Sequence, residues 1–447
     1  MMEQSLFSTP EMSAAFSSEA HVRAILAFEA ALARAEARAG IIPPEAAPAI
    51  AASCNVEGFD IEALYREAAV AGTPAIPLVR MLTERVSGDA RKYVHWGATS
   101  QDAIDTALML QMRAGLDLLV AGLLAVCEAC ARLAEEHRRT PMAGRTLLQQ
   151  ALPITFGLKA ARWLALATRQ ARALREQRER SLAVQLGGAA GTLASLGDRG
   201  LQVVVLLAEE LALPAPELPW HTERDRVAEI ASLLGVVAGA MAKIASDLVL
   251  LAQTEVGEAV EGSAPGKGGS SAMPQKHNPV DAISALASAR LAVGVTPVIV
   301  SAMAQEHERA AGGWQAEWAA IPDLFRFTAS AVERVHGALA NLRVDPSRMR
   351  ANLDRTGGLI MSEALAMALA ARVGRPEAQR IVKTTCEQAI KSGVDLLQAS
   401  LANVQVRALL SPDEIERVLD PSGYLGSTDT LINRALVAYR ALLKALS

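Results

Sequence analysis

The longest apolar stretch of the chain, residues 104–137, reads IDTALMLQMRAGLDLLVAGLLAVCEACARLAEEH. Its apolar residues recur at three- and four-residue spacing, which is the period of an α-helix. At about 1.5 Å per residue, a helix of this length extends roughly 50 Å. It is apolar on more than one face, which indicates burial on several sides. The stretch therefore predicts one long helix inside a helical bundle.

Similar patterns occupy much of the rest of the sequence, where aromatic residues are only 4% and alternating β-branched runs are almost absent. These features predict an all-α fold. The other predicted helices are Ser18–Ala39, Ile154–Leu182, Arg226–Glu258, Val280–Ala310, Leu324–Leu342 and Asp429–Ala445. Breakers suggest three helical domains, 1–103, 104–345 and 346–447. One subunit can hardly cover such apolar helices, so we expect the central bundle to form the core of a homo-oligomer.

Composition and charge exclude several classes of protein. Lys plus Arg is 44 and Asp plus Glu is 48, a net charge of −4, and no basic stripe suggests nucleic-acid binding. Four scattered cysteines do not make a disulfide scaffold. The pair Cys127 and Cys130 lies within a helical run without a second Cys/His pair, which favours two packed small residues over a metal site. We therefore expect no metal.

A membrane location is also disfavoured by the sequence. Residues 233–252 are apolar enough to suggest a membrane span, but Lys243 and Asp247 interrupt them. Charges at mid-bilayer are expensive, so a helix buried in a bundle explains the stretch better. The first residues show no basic region followed by an apolar stretch, so no signal peptide is expected and the cytoplasm is the default compartment.

A glycine-rich segment, residues 261–279, separates two of the predicted helices. Its backbone N–H groups, free of helix hydrogen bonds, are able to cradle an anion. Lys276 adds a positive charge and Asn278 adds an amide donor. The alternative is a flexible Ser/Gly connection without function. The spacing does not fit a phosphate-binding loop.

Residues 269–279, GSSAMPQKHNP, resemble the G-S-S-x-M-P-x-K-x-N-P signature of the fumarase/aspartase superfamily. The resemblance implies that Ser270 is the general base that takes a proton from a carbon next to a carboxylate. It also implies that Lys276 and Asn278 bind that carboxylate. The implied fold is three helical domains around a homotetrameric bundle, and no cofactor is implied.

Two further segments resemble the same superfamily: residues 95–102, HWGATSQD, and residues 144–153, GRTLLQQALP. In the superfamily each active site collects such segments from three subunits. The resemblance implies that Thr99 and Ser100 bind a substrate carboxylate, with Gln101 beside them. The other substrate-binding residues that it implies are Thr73, His95, Gln149, Ser271, Met273 and Arg309. On residue type alone, His95 is equally a turn or core histidine, and Arg309 is equally an ion-pair partner of Glu306 and Glu308.

The departures from the superfamily pattern are also informative. Many members carry a His–Glu couple at the positions of Leu147 and Ile283, and neither residue here transfers a proton. His221 is a possible replacement acid, although a surface or capping role is the simpler interpretation. The sequence resembles, along most of its length, a cycloisomerase branch whose members close a lactone ring on a carboxylated muconate.

In that branch a carboxylate is nucleophile or leaving group, so a strong acid is not required. The expected partner is therefore a small tricarboxylate substrate. One alternative is a β-eliminase that releases fumarate, similar to adenylosuccinate lyase, and another is a non-catalytic structural oligomer.

Overall fold

The computed structural model describes residues 6–262, 267–269, 273 and 275–446. Ser270 and Ser271, predicted as catalytic and substrate-binding, lie outside this part of the chain. The chain is 72% helix and 4% strand, which confirms the predicted all-α class.

The α-helices are α1 Pro10–Ala15, α2 Ser18–Ala39, α3 Ala46–Ser53, α4 Ile61–Ala71, α5 Ala75–Arg85, α6 Ser100–Glu136, α7 Phe156–Ser181, α8 Gly200–Leu211, α9 Asp225–Leu251, α10 Val280–Ser301, α11 Gly313–Ala340, α12 Pro346–Asp354, α13 Ser362–Val373, α14 Arg375–Ser392, α15 Leu396–Ala402, α16 Val404–Leu409, α17 Pro412–Leu419 and α18 Thr428–Leu446. The strands are β1 Pro141–Thr146, β2 Gln149–Thr155, β3 Ala259–Val260 and β4 Arg343–Val344. Short 3-10 helices are Val56–Gly58, Gly88–Tyr93, Ala194–Arg199, Leu359–Met361 and Pro421–Gly423.

Helix boundaries agree best with the sequence where local capping decides them. Helix α2 has the predicted bounds because the Ser17 side chain accepts a hydrogen bond from the N–H of Ala20 and Gly40 ends the helix in the left-handed conformation. Three predicted helix boundaries were clearly wrong: α9 ends at Leu251 rather than at Glu258, α10 ends at Ser301 rather than at Ala310, and α11 begins at Gly313 rather than at Leu324. The residues beyond these ends make tertiary contacts that apolar periodicity does not record.

The chain forms two compact units, each assembled from three stretches of sequence. The first unit comprises residues 1–122, 170–242 and 284–333, and the second comprises residues 123–169, 243–283 and 334–447. Three of the helices, α6, α9 and α10, have the length and hydropathy of a membrane span by composition.

The core of the first unit is packed around the first half of α6. Gly115 lets the Phe325 ring approach this helix, since a Cβ at that position would lie 2.6 Å from Cδ1 of Phe325. The rings of Phe16 and Phe325 stack with their centroids 4.8 Å apart. The first half of α6 is therefore held, at Gly115, against both the N-terminal segment and α11.

In the second unit, β1 and β2 form an antiparallel hairpin that the sequence analysis did not predict. Its register pairs Pro141 with Thr155 and Thr146 with Gln149. The tip residues Leu147 and Leu148 have φ of 49° and 63°. Hairpins normally place glycine or asparagine in such a turn, so the usual sequence signal is missing here.

Candidate functional site

The N-terminus of α6 carries the segment that was predicted to bind a substrate carboxylate. Ser100 is the first helical residue, and the carbonyl of Thr99 accepts a hydrogen bond from the N–H of Asp102 at 3.0 Å. The Asp102 side chain in return accepts the N–H of Thr99 at 2.9 Å. The first turn of a helix presents unpaired N–H groups and the positive end of the helix dipole. Thr99 and Ser100 therefore lie where an anion is electrostatically favoured.

Asp102 is the anchor of this segment, a role that the sequence analysis did not assign. It is fully buried, and its two oxygens accept the N–H groups of Gly187 and Gly188, each at 2.9 Å. Nε2 of His221 lies 2.7 Å from Oδ1 of the same carboxylate. Only glycine fits at 187, because a Cβ there would lie 2.8 Å from Cε1 of His221. A carboxylate inside an apolar helix and a Gly-Gly pair are the sequence signals that point to this contact.

His221 is buried, with 3% of its surface exposed, so the interpretation as a surface histidine was wrong. Its ring nitrogen Nε2 is bonded to Asp102, and its carbonyl accepts a hydrogen bond from Nε2 of Gln101 at 2.8 Å. In this arrangement His221 holds the first turn of α6 in place, and its Nε2 is already bonded to Asp102.

Gln101 connects this segment to Arg309. Its side chain is fully buried and donates to Asp105 at 3.0 Å, while its Oε1 accepts from the Arg309 guanidinium at 2.9 Å. Arg309 also donates to the carbonyl of Ala189 at 2.8 Å. Arg309 is therefore oriented by Gln101 and a backbone carbonyl, whereas the Glu306 carboxylate accepts the N–H of Ala311. Among the described residues Arg309 forms no ion pair with Glu306 or Glu308, so the interpretation of Arg309 as a partner of these two residues was wrong.

A buried ion cluster lies one turn further along α6. Arg224 donates to Asp105 at 2.7 and 3.1 Å and to Glu317 at 3.0 Å, and a further bond joins Arg224 to Glu317. The indole N–H of Trp314 also donates to Asp105, at 3.0 Å. All three charged side chains are at most 1% exposed. Burial raises the pKa of Glu317, and the Arg224 charge opposes that rise.

His95 lies in the turn before α6, which agrees with its interpretation as a turn histidine. It has φ of 57°, and its Nδ1 is 2.6 Å from Oε1 of the buried Glu29 in α2. The ring remains partly exposed. His95 and Arg309 therefore supply a titratable group and a fixed cation on the elements around Thr99 and Ser100.

Thr73 lies in the wall of a separate feature, a cavity of about 630 Å³ in the first unit. Its lining includes Tyr65, Ile104 and Trp318 but no residue of the 95–102 segment. Its volume is typical of small-molecule sites. Ile104 follows Ser100 by about one helical turn, so the cavity begins beside the first turn of α6.

Residues 268–278 of the second unit, which we call the signature loop, contain most of the superfamily signature. The two ends of this loop meet at Gly268 and Asn278. The carbonyl of Gly268 accepts both the backbone N–H of Asn278 at 2.9 Å and its side-chain amide at 3.3 Å. Lys276 is exposed, and its N–H donates to the carbonyl of Met273 at 3.1 Å. Lys267 pairs with Asp281 at the first turn of α10. The base of the loop is thus fixed, and the Lys276 ammonium projects from it.

The hairpin β1–β2 carries Gln149 and the position of the missing histidine. Leu147 at the tip is 97% exposed. The tip end of the hairpin is fixed because Arg145, two residues before Leu147, donates to both oxygens of Glu258, at 2.8 and 2.7 Å. Asn352 donates to the same carboxylate at 2.8 Å. The position of the hairpin tip is therefore set by the tertiary contacts of Arg145, since the turn itself contains no glycine or asparagine.

Within the described ranges, no group of three or more His, Cys, Asp and Glu side chains has a metal-holding arrangement. Cys127 and Cys130 are buried as predicted, and the Cys127 thiol lies 3.7 Å from the hydroxyl of Thr168.

Comparison with known families gives two matches. A family model described as "Lyase" matches residues 6–294, and one described as "Adenylosuccinate lyase C-terminus" matches residues 358–435.

Individual relatives match over nearly the whole chain. A 3-carboxy-cis,cis-muconate cycloisomerase of Pseudomonas aeruginosa is 47% identical over 98% of this chain and 96% of its own length. The crystal structure of the 3-carboxy-cis,cis-muconate lactonizing enzyme from Pseudomonas putida has a TM-score of 0.93 at 42% identity, covering 98% of this chain and 99% of that one. A trans-aconitate decarboxylase of Mycosarcoma maydis is 39% identical over 96% of this chain and 87% of its own length.

Proposed function

Because this chain belongs to the fumarase/aspartase superfamily of lyases, we propose that it is a lactonising cycloisomerase that converts 3-carboxy-cis,cis-muconate to 4-carboxymuconolactone in aromatic catabolism. The observation that carries the proposal is the near full-length similarity to relatives with that activity. The absence of a proton-transferring side chain at Leu147 and Ile283 supports it, because this reaction needs no strong acid.

The proposed lactonisation requires neither a strong acid at Leu147 or Ile283 nor a cofactor. One carboxylate oxygen of the substrate adds across the neighbouring double bond, and the electrons of that bond pass into the adjacent carboxyl group. The resulting aci-carboxylate carries an additional negative charge, which preorganised donors must already face. Lys276 and Asn278 provide these donors, and Ser270 delivers the proton to carbon. The nucleophile and the electron sink both belong to the substrate, so no metal or organic cofactor enters the proposal.

The remaining carboxylates of the substrate bind at the N-terminus of α6. Thr99 and Ser100 offer hydroxyl and N–H donors there, and Arg309 offers a guanidinium held by Gln101. Gln149 and Met273 contact the substrate from the hairpin and the signature loop, and Thr73 contacts it from the wall of its cavity. Gln101 acts through Arg309, because its own amide is fully bonded inside the protein.

We further propose a homotetramer whose active sites are shared between subunits. Several apolar side chains on α10 are between about 40% and 48% exposed: Leu291, Val293, Val298 and Val300. Such a large exposed apolar face is typical of a protein interface. Packing against other copies explains the hydropathy of α10 without a membrane, and we place the enzyme in the cytoplasm. The native mass is then about four times the 47.1 kDa of the chain.

The test is a spectroscopic assay of purified protein. With 3-carboxy-cis,cis-muconate, we expect the ultraviolet absorbance of the conjugated diene to disappear and a lactone to form. Ser270→Ala should lower kcat by about 10²–10⁴-fold, the usual contribution of general acid–base catalysis. Ser392→Ala, at the exposed end of α14, is the matched control and should keep the full rate. Full activity of Ser270→Ala would refute the assignment of the base.

The C-terminal family match favours one alternative, a β-eliminase that acts on adenylosuccinate. Release of fumarate from adenylosuccinate, with no loss of diene absorbance from the muconate, would establish that alternative. Inactivity on both substrates, with the expected native mass, would instead support a structural oligomer.

A further inference from the structure

His95 is held in an unusual backbone conformation beside the carboxylate-binding segment. Its φ of 57° lies in the left-handed region, which residues other than glycine rarely adopt. Such a conformation persists only where surrounding contacts determine it. The contact that the structure provides is the bond from Nδ1 to Oε1 of Glu29, at 2.6 Å. This distance is slightly shorter than the roughly 2.7–2.9 Å that is usual for an N–H···O bond between charged partners.

Glu29 is a buried carboxylate with few partners of its own. It is 1% exposed, in the middle of α2, and its second oxygen has no hydrogen-bond partner among the described residues. The same part of the chain contains one ion pair of Glu29, which is the pair with His95. A buried carboxylate without a counter-charge is strongly destabilised. The ionised form of Glu29 therefore favours a positively charged His95.

The other acids and bases around this pair agree with that charge state. Glu36 lies two helical turns further along α2 and is fully buried, and burial followed by repulsion from Glu29 raises its pKa to about 9. The Cys54 thiol has its pKa raised to about 12, first by burial and then by Glu29, while Arg34 and Arg85 oppose the rise. Near neutral pH both groups are uncharged, so neither of them places a second negative charge beside the Glu29–His95 pair.

The pKa of His95 is set by one influence that lowers it and three that raise it. Burial disfavours the imidazolium, but the charge and hydrogen bond of Glu29 and the charge of Asp102 at the start of α6 outweigh it, and the pKa of His95 is raised. The side chain is 15% exposed, and its Nδ1 is occupied by Glu29. Nε2 is therefore the ring nitrogen that remains to donate to a ligand.

We propose that Glu29 is a positioning residue that holds His95 as an imidazolium, so that the ring presents a fixed N–H and a positive charge to a carboxylate of the substrate. The nature of that substrate rests on the proposed function, whereas the charge state of His95 does not. The imidazolium of His95 complements the Arg309 guanidinium in binding a polyanion. It also makes binding depend on pH through a residue in α2 that does not touch the ligand.

The decisive variant is Glu29→Gln, which keeps the size of the side chain and removes its charge. Glu36→Gln is the matched control, because it removes an equally buried acid from the same helix without touching His95. In the wild type, kcat/KM should fall on the alkaline side with the deprotonation of His95. In Glu29→Gln this fall should move to lower pH by at least about one unit. At pH 8 we expect at least a tenfold loss, mainly in KM, which recovers towards pH 6.

Glu36→Gln should leave the alkaline side of the profile in place. Glu29→Asp restores the charge on a shorter side chain, so the alkaline fall of kcat/KM should lie close to its wild-type pH. This variant also tests the proposal if Glu29→Gln does not fold. A shift in Glu36→Gln as large as that in Glu29→Gln would overturn the proposal, as would identical profiles for Glu29→Gln and the wild type.

A second measurement needs no substrate. The chain has seven histidines, so the titration of His95 can be followed by NMR of protein with isotope-labelled histidine and assigned with His95→Asn. We expect the pKa of His95 to lie above its usual value in the wild type and to fall in Glu29→Gln. An unchanged titration refutes the role of Glu29. Failure of the wild type to convert the muconate, with the titration shift present, would refute the proposed function alone.

Discussion

Replacing Arg224 with methionine tests whether the buried ion cluster supports the start of α6. Arg224 makes four hydrogen bonds to Asp105 and Glu317, and all three side chains are at most 1% exposed. Removing one partner of such a cluster leaves uncompensated buried charge, which costs about 3–5 kcal/mol. Methionine retains the apolar contact with the Trp220 ring, above which the guanidinium lies at 4.9 Å. The loss of stability then reports on charge rather than on packing.

The expected change in melting temperature follows from the size of the chain. An unfolding entropy of about 2.1 cal/mol/K per residue gives roughly 0.9 kcal/mol/K for the whole chain, so Arg224→Met should lower Tm by about 3–5 °C. The measurement is differential scanning calorimetry at a fixed scan rate. Arg23→Met, which removes an exposed pair with Glu19, is the control and should change Tm by less than about 1 °C.

The pH dependence of this deficit sharpens the test. Burial raises the pKa of Glu317 and Arg224 opposes the rise, so removal of Arg224 lets that pKa rise further. A carboxyl group with a raised folded-state pKa stabilises the fold below its unfolded pKa, and this contribution is lost as pH rises. The Tm deficit should therefore be smaller at pH 5 than at pH 8, and adding Glu317→Gln should recover part of it. A deficit below about 1 °C, or one that grows at pH 5, would refute the reasoning.

Two further predictions concern Glu36 and the hairpin tip. The pKa of Glu36 is raised from 4.5 to about 9, so the wild type should lose stability as pH rises between these values. Glu36→Gln should therefore have a higher Tm than the wild type at pH 8 but not at pH 4.5. Equal Tm values at pH 8 would contradict this. Leu147 at the tip of the hairpin is 97% exposed, so Leu147→Asp should not change the Tm of the separated subunit. If the hairpin tip completes the active site of another subunit, the same variant should lower kcat/KM at least tenfold. Val70→Asp, at a position 91% exposed in α4, is the control for Leu147, and equal kcat/KM values for the two variants would place the tip outside the site.

Local sequence signals predicted the elements whose ends they control. Helix α2 begins and ends at the predicted residues because Ser17 and Gly40 cap it. The hairpin β1–β2 was missed because Leu147 and Leu148 provide no turn signal, and the Arg145–Glu258 ion pair that fixes it joins residues 113 positions apart. Such long-range pairs do not appear in a periodicity pattern.

The same distinction holds for the candidate site. Thr99 and Ser100 were predicted to bind a carboxylate from a short motif, and the structure shows that they lie at a helix N-terminus, where anions are favoured. Glu29 was missed, although a signal was present: it is a charged residue on the apolar face of α2, between Phe28 and Leu32. Acidic residues are almost never fully buried unless paired. Such a residue indicates an unseen partner, but the sequence does not say which residue that partner is.

The departures at Leu147 and Ile283 remove proton-transferring side chains, and residue 147 stands on a firmly held hairpin. The strand register up to Thr146 and Gln149, together with the Arg145–Glu258 ion pair, fixes where residue 147 lies. A histidine there would supply a proton to a departing hydroxyl or amine, both poor leaving groups without an acid. Leucine supplies none, so the proposed reaction is one whose nucleophile or leaving group is already stable as an anion. A carboxylate meets this condition, and Lys276 and Arg309 are the cations that the proposal assigns to bind it.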